Sequence, residues 1–146
     1  MNKNGPIVVI EDDVDDQELL AMVFSELSFP NPVRFFTDGK KALDYLLQDD
    51  IFPFLIISDI NMPKLDGFEL KGMVHTNTAL SQKCIPYLFF TTSANQQAVF
   101  DAYKMSVQGF FLKPTSYPEL VNTVRVIIEY WQQCYSPASY PSQNKQ

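Results

Sequence analysis

Short apolar runs alternate along this chain with amphipathic stretches. Pro6-Ile-Val-Val-Ile10 is rich in β-branched residues and stops at Glu11-Asp12-Asp13. Such a run predicts a strand buried on both faces that ends in an acidic loop. Leu19, Leu20, Val23, Phe24 and Leu27 then recur at helical spacing. They predict a helix over Asp15 to Leu27, closed by Pro30 and Pro32. Val33 to Phe36 reads as a second strand. Asp38 is placed to cap a second helix with Ala42, Leu43, Leu46 and Leu47 on its apolar face. Phe54 to Ile57 is a third strand that runs into Ser58-Asp59, and the segment from Asn61 to Gly67 is turn-rich. A third helix from about Phe68 to His75 leads into a long helix-to-strand connection within the stretch Lys71 to Ile85. Pro86 to Phe90 is a fourth strand, ending in Thr91-Thr92-Ser93, and Gln96 to Lys104 a fourth helix. Gly109 to Leu112 is a fifth strand, ending in Lys113-Pro114. A last helix over Pro118 to Cys134 carries Leu120, Val124, Ile127, Ile128 and Trp131 on its apolar face.

Five strands alternating with five helices specify a parallel sheet covered on both faces, a doubly wound three-layer α/β fold. Crossovers should be right-handed. There is no internal repeat and no linker, so one domain is expected over residues 1–135. Ser136 to Gln146 is rich in Ser, Pro, Gln and Asn and is expected to be a disordered tail.

Composition agrees with this and narrows the partners. Of 146 residues, 46% are apolar and 19% charged, enough for a core. The net charge of −6 argues against a broad affinity for nucleic acid. Cys84 and Cys134 lie far apart without metal-ligand spacing and are expected to be reduced thiols. The amino terminus has no apolar signal stretch, and no run approaches the ~20 residues of a membrane span. A soluble, cytoplasmic protein without membrane contact is the expectation.

The chemistry collects at the strand ends. In an open parallel sheet, ligands bind beyond the carboxyl ends of the strands, where strand order reverses. Here those ends bring Glu11, Asp12 and Asp13, then Asp59, Thr91 and Lys113 to one edge. Carboxylates packed together repel, and a hard divalent cation such as Mg²⁺ relieves the repulsion. Lys113 is a point charge suited to a phosphate oxygen or to Asp59, and Thr91 offers a hydroxyl. Nucleophile, metal and two groups for equatorial oxygens are what phosphoryl transfer needs. Taken singly, each residue has a plain alternative. The acidic run suits a solvated loop, Asp59 or Thr91 a helix cap, Lys113 a surface turn. Their coincidence at four strand ends is what carries the functional reading.

These residues resemble the receiver domain of response regulators in two-component signalling. The resemblance covers roughly Pro6 to Tyr135. It rests on Ile-Glu11-Asp12-Asp13, Ser-Asp59-Ile-Asn61-Met62-Pro63, Asp66-Gly67, Phe-Thr91-Thr92-Ser93 and Lys113-Pro114. It implies a flavodoxin-like (βα)5 sandwich with strand order 2-1-3-4-5. It implies Asp59 as phosphoacceptor, charged by a histidine kinase or a histidine phosphotransfer protein. Asp12 would bind Mg²⁺ directly, Glu11 mainly through water, and the Asn61 main-chain carbonyl would be a third protein ligand. Thr91 and Lys113 would contact phosphoryl oxygens, and Phe110 would be the aromatic switch that turns inward when Thr91 moves. Lys113-Pro114 would be a cis peptide. Output would pass through the fourth helix, fifth strand and fifth helix, with Phe111, Val126 and Tyr130 on the outer face, to a downstream protein or a second copy. The resemblance implies a phosphoacceptor that catalyses its own phosphorylation and slow hydrolysis, not an enzyme in the usual sense. Glu11 stands where an Asp is often found, and Phe110 where Tyr is frequent.

Three other readings compete. A haloacid-dehalogenase-type phosphatase needs a second Asp two residues after the nucleophile, and that position is Asn61. A flavodoxin-like cofactor binder needs a phosphate loop rich in Ser, Thr and Gly, and the first loop here is acidic. A degenerate receiver acting as a binding module needs the acceptor, the acid pair or the lysine to be lost, and all are present. His75, the one histidine, is expected on a helix surface away from the acidic edge.

Overall fold

The computed structural model describes residues 1–137. The elements run β1 (Ile7–Ile10), α1 (Val14–Leu27), β2 (Val33–Phe36), α2 (Gly39–Leu46), β3 (Leu55–Ser58), α3 (Gly67–Thr76), α4 (Thr78–Ser81), β4 (Tyr87–Thr91), α5 (Gln96–Lys104), β5 (Gly109–Leu112) and α6 (Tyr117–Gln133). Each helix starts at a side-chain cap: Asp13, Asp38, Asp66, Asn77, Asn95 and Ser116 each accept a backbone N–H of the first turn. Short polar side chains at these positions satisfy donors that would otherwise have no partner.

The strands form one parallel sheet in the order β2-β1-β3-β4-β5. Because side chains alternate across a strand, each strand feeds two cores. Ile7, Val9, Leu55, Ile57, Leu88 and Phe90 face one layer, packed by Leu20, Val23 and Phe24 of α1 and Leu120, Val124, Ile127 and Ile128 of α6. Val8, Ile10, Ile56, Tyr87 and Phe89 face the other, packed by Ala42 and Leu46 of α2, Leu70 and Val74 of α3, Leu80 of α4 and Ala102 of α5. Two-sided burial is why these strands read as continuous apolar runs. The doubly wound three-layer fold is as the sequence predicts, and the strand order is the one the resemblance implies.

Some local features differ. The stretch Lys71 to Ile85 is not one open connection: α3 continues to Thr76, and a sixth helix, α4, follows at once. The Asn77 side chain caps Leu80 N at 3.0 Å and Leu80 is fully buried, which anchors one helical turn. Four residues are too few to show a period. Leu19 and Leu47 are exposed, although they fall on predicted apolar faces. The Lys113–Pro114 peptide is trans, not the cis bond that the resemblance implies. Trans is the intrinsically preferred isomer, and Lys113 N is already held by Thr91 O at 2.8 Å. Of the expected tail, residues 138–146 lie outside the described residues, and Ser136 is buried. Cys84 and Cys134 are free thiols. Among the described residues, no helix is long and apolar enough to cross a membrane.

Candidate functional site at the carboxyl edge of the sheet

The sheet ladder runs one residue beyond β1, β3 and β5. Glu11 N donates to Phe36 O at 2.9 Å, Asp59 N to Ile10 O at 3.0 Å and Lys113 N to Thr91 O at 2.8 Å. The backbone of the sheet itself therefore pins Glu11, Asp59 and Lys113 at one edge. Between β1 and β3 the chain reverses its direction of travel across the sheet, which is where a doubly wound fold opens a crevice.

Gly67 lets α3 start against this edge. A Cβ there would lie 2.4 Å from the main-chain oxygen of Asp59 and 2.9 Å from Cα of Ile60. The need is for space, since no glycine of the described residues has positive φ. Gly67 N also donates to Ile60 O at 2.8 Å, which ties the Asp59 loop to the helix.

Within the crevice, ligand atoms of Glu11, Asp12 and Asp59 all lie within 4.8 Å of one another. Three oxygen donors this close suit a hard divalent cation such as Mg²⁺ or Mn²⁺. Lys113 Nζ hydrogen-bonds Glu11 Oε2 and lies 3.3 Å from Asp16 Oδ2 and 3.5 Å from Asp59 Oδ2. Three carboxylates thus contact one ammonium, and a fourth, Asp12, lies beside two of them, an imbalance a cation would correct. Glu11 is the buried member, at 2% exposure, and Asp12 the exposed one. Asp13, third in the acidic run, serves as the cap of α1 and takes Asp16 N at 3.0 Å. Its own N–H donates to Glu11 Oε1 at 3.1 Å.

Burial pushes the Glu11 carboxyl up to about 7, against the pull of the Lys113 hydrogen bond and charge. Burial pushes the Lys113 ammonium down, but its hydrogen bond to Glu11 and the charges of Glu11, Asp59 and Asp16 outweigh this and leave it raised. The ammonium therefore stays charged, and a proton taken up by the pair resides on Glu11.

Asp59 Oδ1 accepts Ile60 N at 2.7 Å, which orients the carboxylate. Thr91 is buried at 1% exposure, and its Oγ1 accepts Ser93 N at 3.2 Å, which leaves the hydroxyl proton free to donate. Asn61 is exposed in the loop after β3. Phe110 is half-buried against Phe89, ring centroids 6.2 Å apart. Phe111 packs partly against the α1–α6 core, while Val126 and Tyr130 are exposed on α6. His75 is exposed in the last turn of α3. Asp16 is the cluster member that sequence reasoning missed. The signal was its position three residues after the Asp13 cap, since helical side chains lean back toward the amino end.

The receiver domain of response regulators is the family whose model matches, over residues 7–125. The probable methanogenesis regulatory protein FilR2 of Methanothrix harundinacea is 32% identical over 129 residues, 86% of this chain and 82% of that one. The phosphorylated cyanobacterial phytochrome response regulator RcpA superposes with a TM-score of 0.81 at 28% identity, covering 91% of this chain and 97% of the other. The Mn²⁺-bound form of response regulator Rcp1 does so with a TM-score of 0.78 at 27% identity, covering 90% and 97%. An acidic crevice at the switch point of a 2-1-3-4-5 sheet, matched by this family over most of the chain, leads to one conclusion: the protein belongs to the response regulator receiver domains of two-component signalling.

Proposed function

We propose that Asp59 accepts a phosphoryl group from the phosphohistidine of a histidine kinase or histidine phosphotransfer protein, in a Mg²⁺-dependent reaction. The observation that carries this reading is the convergence of Asp59 with Glu11, Asp12 and Lys113 in one crevice. An Asp59 carboxylate oxygen attacks phosphorus, a P–O bond forms, the P–N bond breaks, and the leaving imidazole nitrogen takes up a proton from solvent. Glu11, Asp12, Asp59 and the Asn61 main-chain carbonyl would hold Mg²⁺, which when bound neutralises carboxylate and phosphoryl charge as a Lewis acid. Lys113 would exchange its contact with Glu11 and Asp59 for one to a phosphoryl oxygen, and the Thr91 hydroxyl would donate to another. RcpA has been seen phosphorylated and Rcp1 with Mn²⁺, which supports the same chemistry here.

Phosphorylation would place new charge beside Thr91 and bias α5, β5 and α6, with Phe110 as the moving ring. Phe100 and Tyr103 of α5, Leu112 of β5, and Val126 and Tyr130 of α6 are exposed apolar groups on this side. We assign them to contact with a downstream protein or a second copy.

Intact-protein mass spectrometry after incubation with acetyl phosphate and Mg²⁺ tests the central reading. One phosphoryl mass should be gained, only with Mg²⁺ and not in Asp59→Asn. Folded protein that gains none would favour a binding module that works without phosphorylation.

A further inference from the structure

Lys71 lies on the sheet-facing side of α3 and is only 5% exposed. A lysine is almost never so buried without a partner. Among the described residues, no hydrogen bond or ion pair reaches its ammonium. The Tyr87 ring lies 6.0 Å from Nζ to the centroid, at the outer limit of a cation–π interaction. Burial accordingly lowers its pKa. Among the described residues, no fully buried side-chain nitrogen lacks a hydrogen bond, so Nζ itself must open onto free space. That space is a cavity of about 450 Å³ lined by Lys71.

The chemistry of the walls is one-sided. Gln108 lines the cavity too, and its Oε1 already accepts Tyr87 N at 3.0 Å, which leaves its NH₂ to donate. His75 stands at the rim. No carboxylate is among the described lining residues, although the chain carries a net charge of −6. Val74, Ile85 and Trp131 supply apolar wall. The volume falls within the range of small-molecule pockets. Ile85 and Gln108 precede β4 and β5, so the cavity lies at the amino edge of the sheet, roughly 16 Å along β4 from the acidic crevice.

We infer that this cavity binds a small organic carboxylate, its two oxygens on Lys71 and Gln108 and its apolar body against Val74, Ile85 and Trp131. A carboxylate supplies the missing counter-charge, and the apolar body distinguishes it from a bare inorganic anion. The inference is independent of phosphorylation at Asp59.

Trp131 is the only tryptophan of the chain and lines the cavity, so its fluorescence reports occupancy. The full chain is titrated with octanoate, with inorganic phosphate as the comparison. Octanoate should give a saturable change in Trp131 emission and phosphate none. Lys71→Met keeps the apolar stem and should weaken octanoate binding by about tenfold or more, the loss of one charge-assisted contact. Ser81→Phe, on the exposed rim, should obstruct entry, and it decides alone if Lys71→Met does not fold. The inference is overturned by no saturable response, by undiminished affinity in the folded variants, or by phosphate binding as tightly as octanoate.

Discussion

The Asp16 carboxylate lies 3.3 Å from the Lys113 ammonium. That is slightly nearer than Asp59, at 3.5 Å. Asp16 therefore competes for the cation that our mechanism sends to the phosphoryl group. It also adds negative charge near the path of an anionic donor, without belonging to the trio of Glu11, Asp12 and Asp59.

Asp16→Asn should accordingly raise the rate of phosphorylation by acetyl phosphate. The Asp16 side chain is 38% exposed, so solvent screens it and the gain is about two- to fivefold. Stopped-time mass spectrometry against the wild type gives the rate. A slower variant would mean that Asp16 assists by positioning Lys113.

Gly67→Ala probes the closeness of α3 to the Asp59 loop. The new Cβ would meet the Asp59 carbonyl at 2.4 Å, and that neighbour is backbone, which yields less readily than a side chain. We expect a loss of ~1–3 kcal/mol in urea unfolding, the usual scale of overpacking. Phosphorylation should slow as well, since Asp59 must shift. An unchanged midpoint would mean that the start of α3 moves aside without cost.

Glu11 should leave a signature in stability without Mg²⁺. Its folded pKa is raised from 4.5 to about 7 by burial. Between those values the unfolded chain has shed the proton and the folded one keeps it, so stability falls as pH rises through the window and levels off above about 7. At ~1.4 kcal/mol for each pH unit, the decline is at most ~3 kcal/mol. Asp38 acts in a different window: its backbone hydrogen bond from Lys41 holds its pKa below 3.8, so its contribution is lost only in stronger acid. Urea midpoints from pH 4.5 to 8 should show the decline in the wild type and not in Glu11→Gln. Parallel curves would place the proton elsewhere.

The same proton should oppose the metal. If Glu11 helps to hold Mg²⁺, the cation must displace it, so affinity should weaken below about pH 7, by up to about tenfold per unit. Calorimetry in two buffers of different ionisation enthalpy should detect close to one proton released at pH 6 and little at pH 8.5. An affinity indifferent to pH would remove Glu11 from the ligand set.

Most of this architecture was legible because the sheet is buried on both faces. Runs such as Ile7 to Ile10 and Tyr87 to Phe90 must then be apolar throughout, and each helix announces its start with Asp, Asn or Ser. The crevice was legible because a parallel sheet delivers every strand's carboxyl end to one edge. Asp16 escaped notice because its role depends on how far back a helical side chain leans. Lys71 escaped because a charged residue inside the apolar stripe of α3 looks, in sequence, like a solvent-facing one. The turn of α4 and the trans bond at Pro114 were lost for a different reason: differences of ~1 kcal/mol or less decide them.

The output face offers the last prediction. Tyr130 and Val126 are 61% and 51% exposed, side by side on α6 with one turn between them. Tyr130 also meets Trp131 edge-on at 5.2 Å, which holds its ring outward instead of folding it onto the core. Exposed aromatics held in this way are common anchors at protein contacts. If phosphorylation recruits a second copy here, Tyr130→Glu puts a carboxylate into the buried centre of that contact and should cost enough to abolish association. Sedimentation velocity on protein phosphorylated with acetyl phosphate and Mg²⁺ should show wild-type dimer and variant monomer, with equal phosphoryl mass on both. If both remain monomeric, the face serves a different downstream protein. If both dimerise equally, the copies meet through another surface, and α6 is free for a further partner.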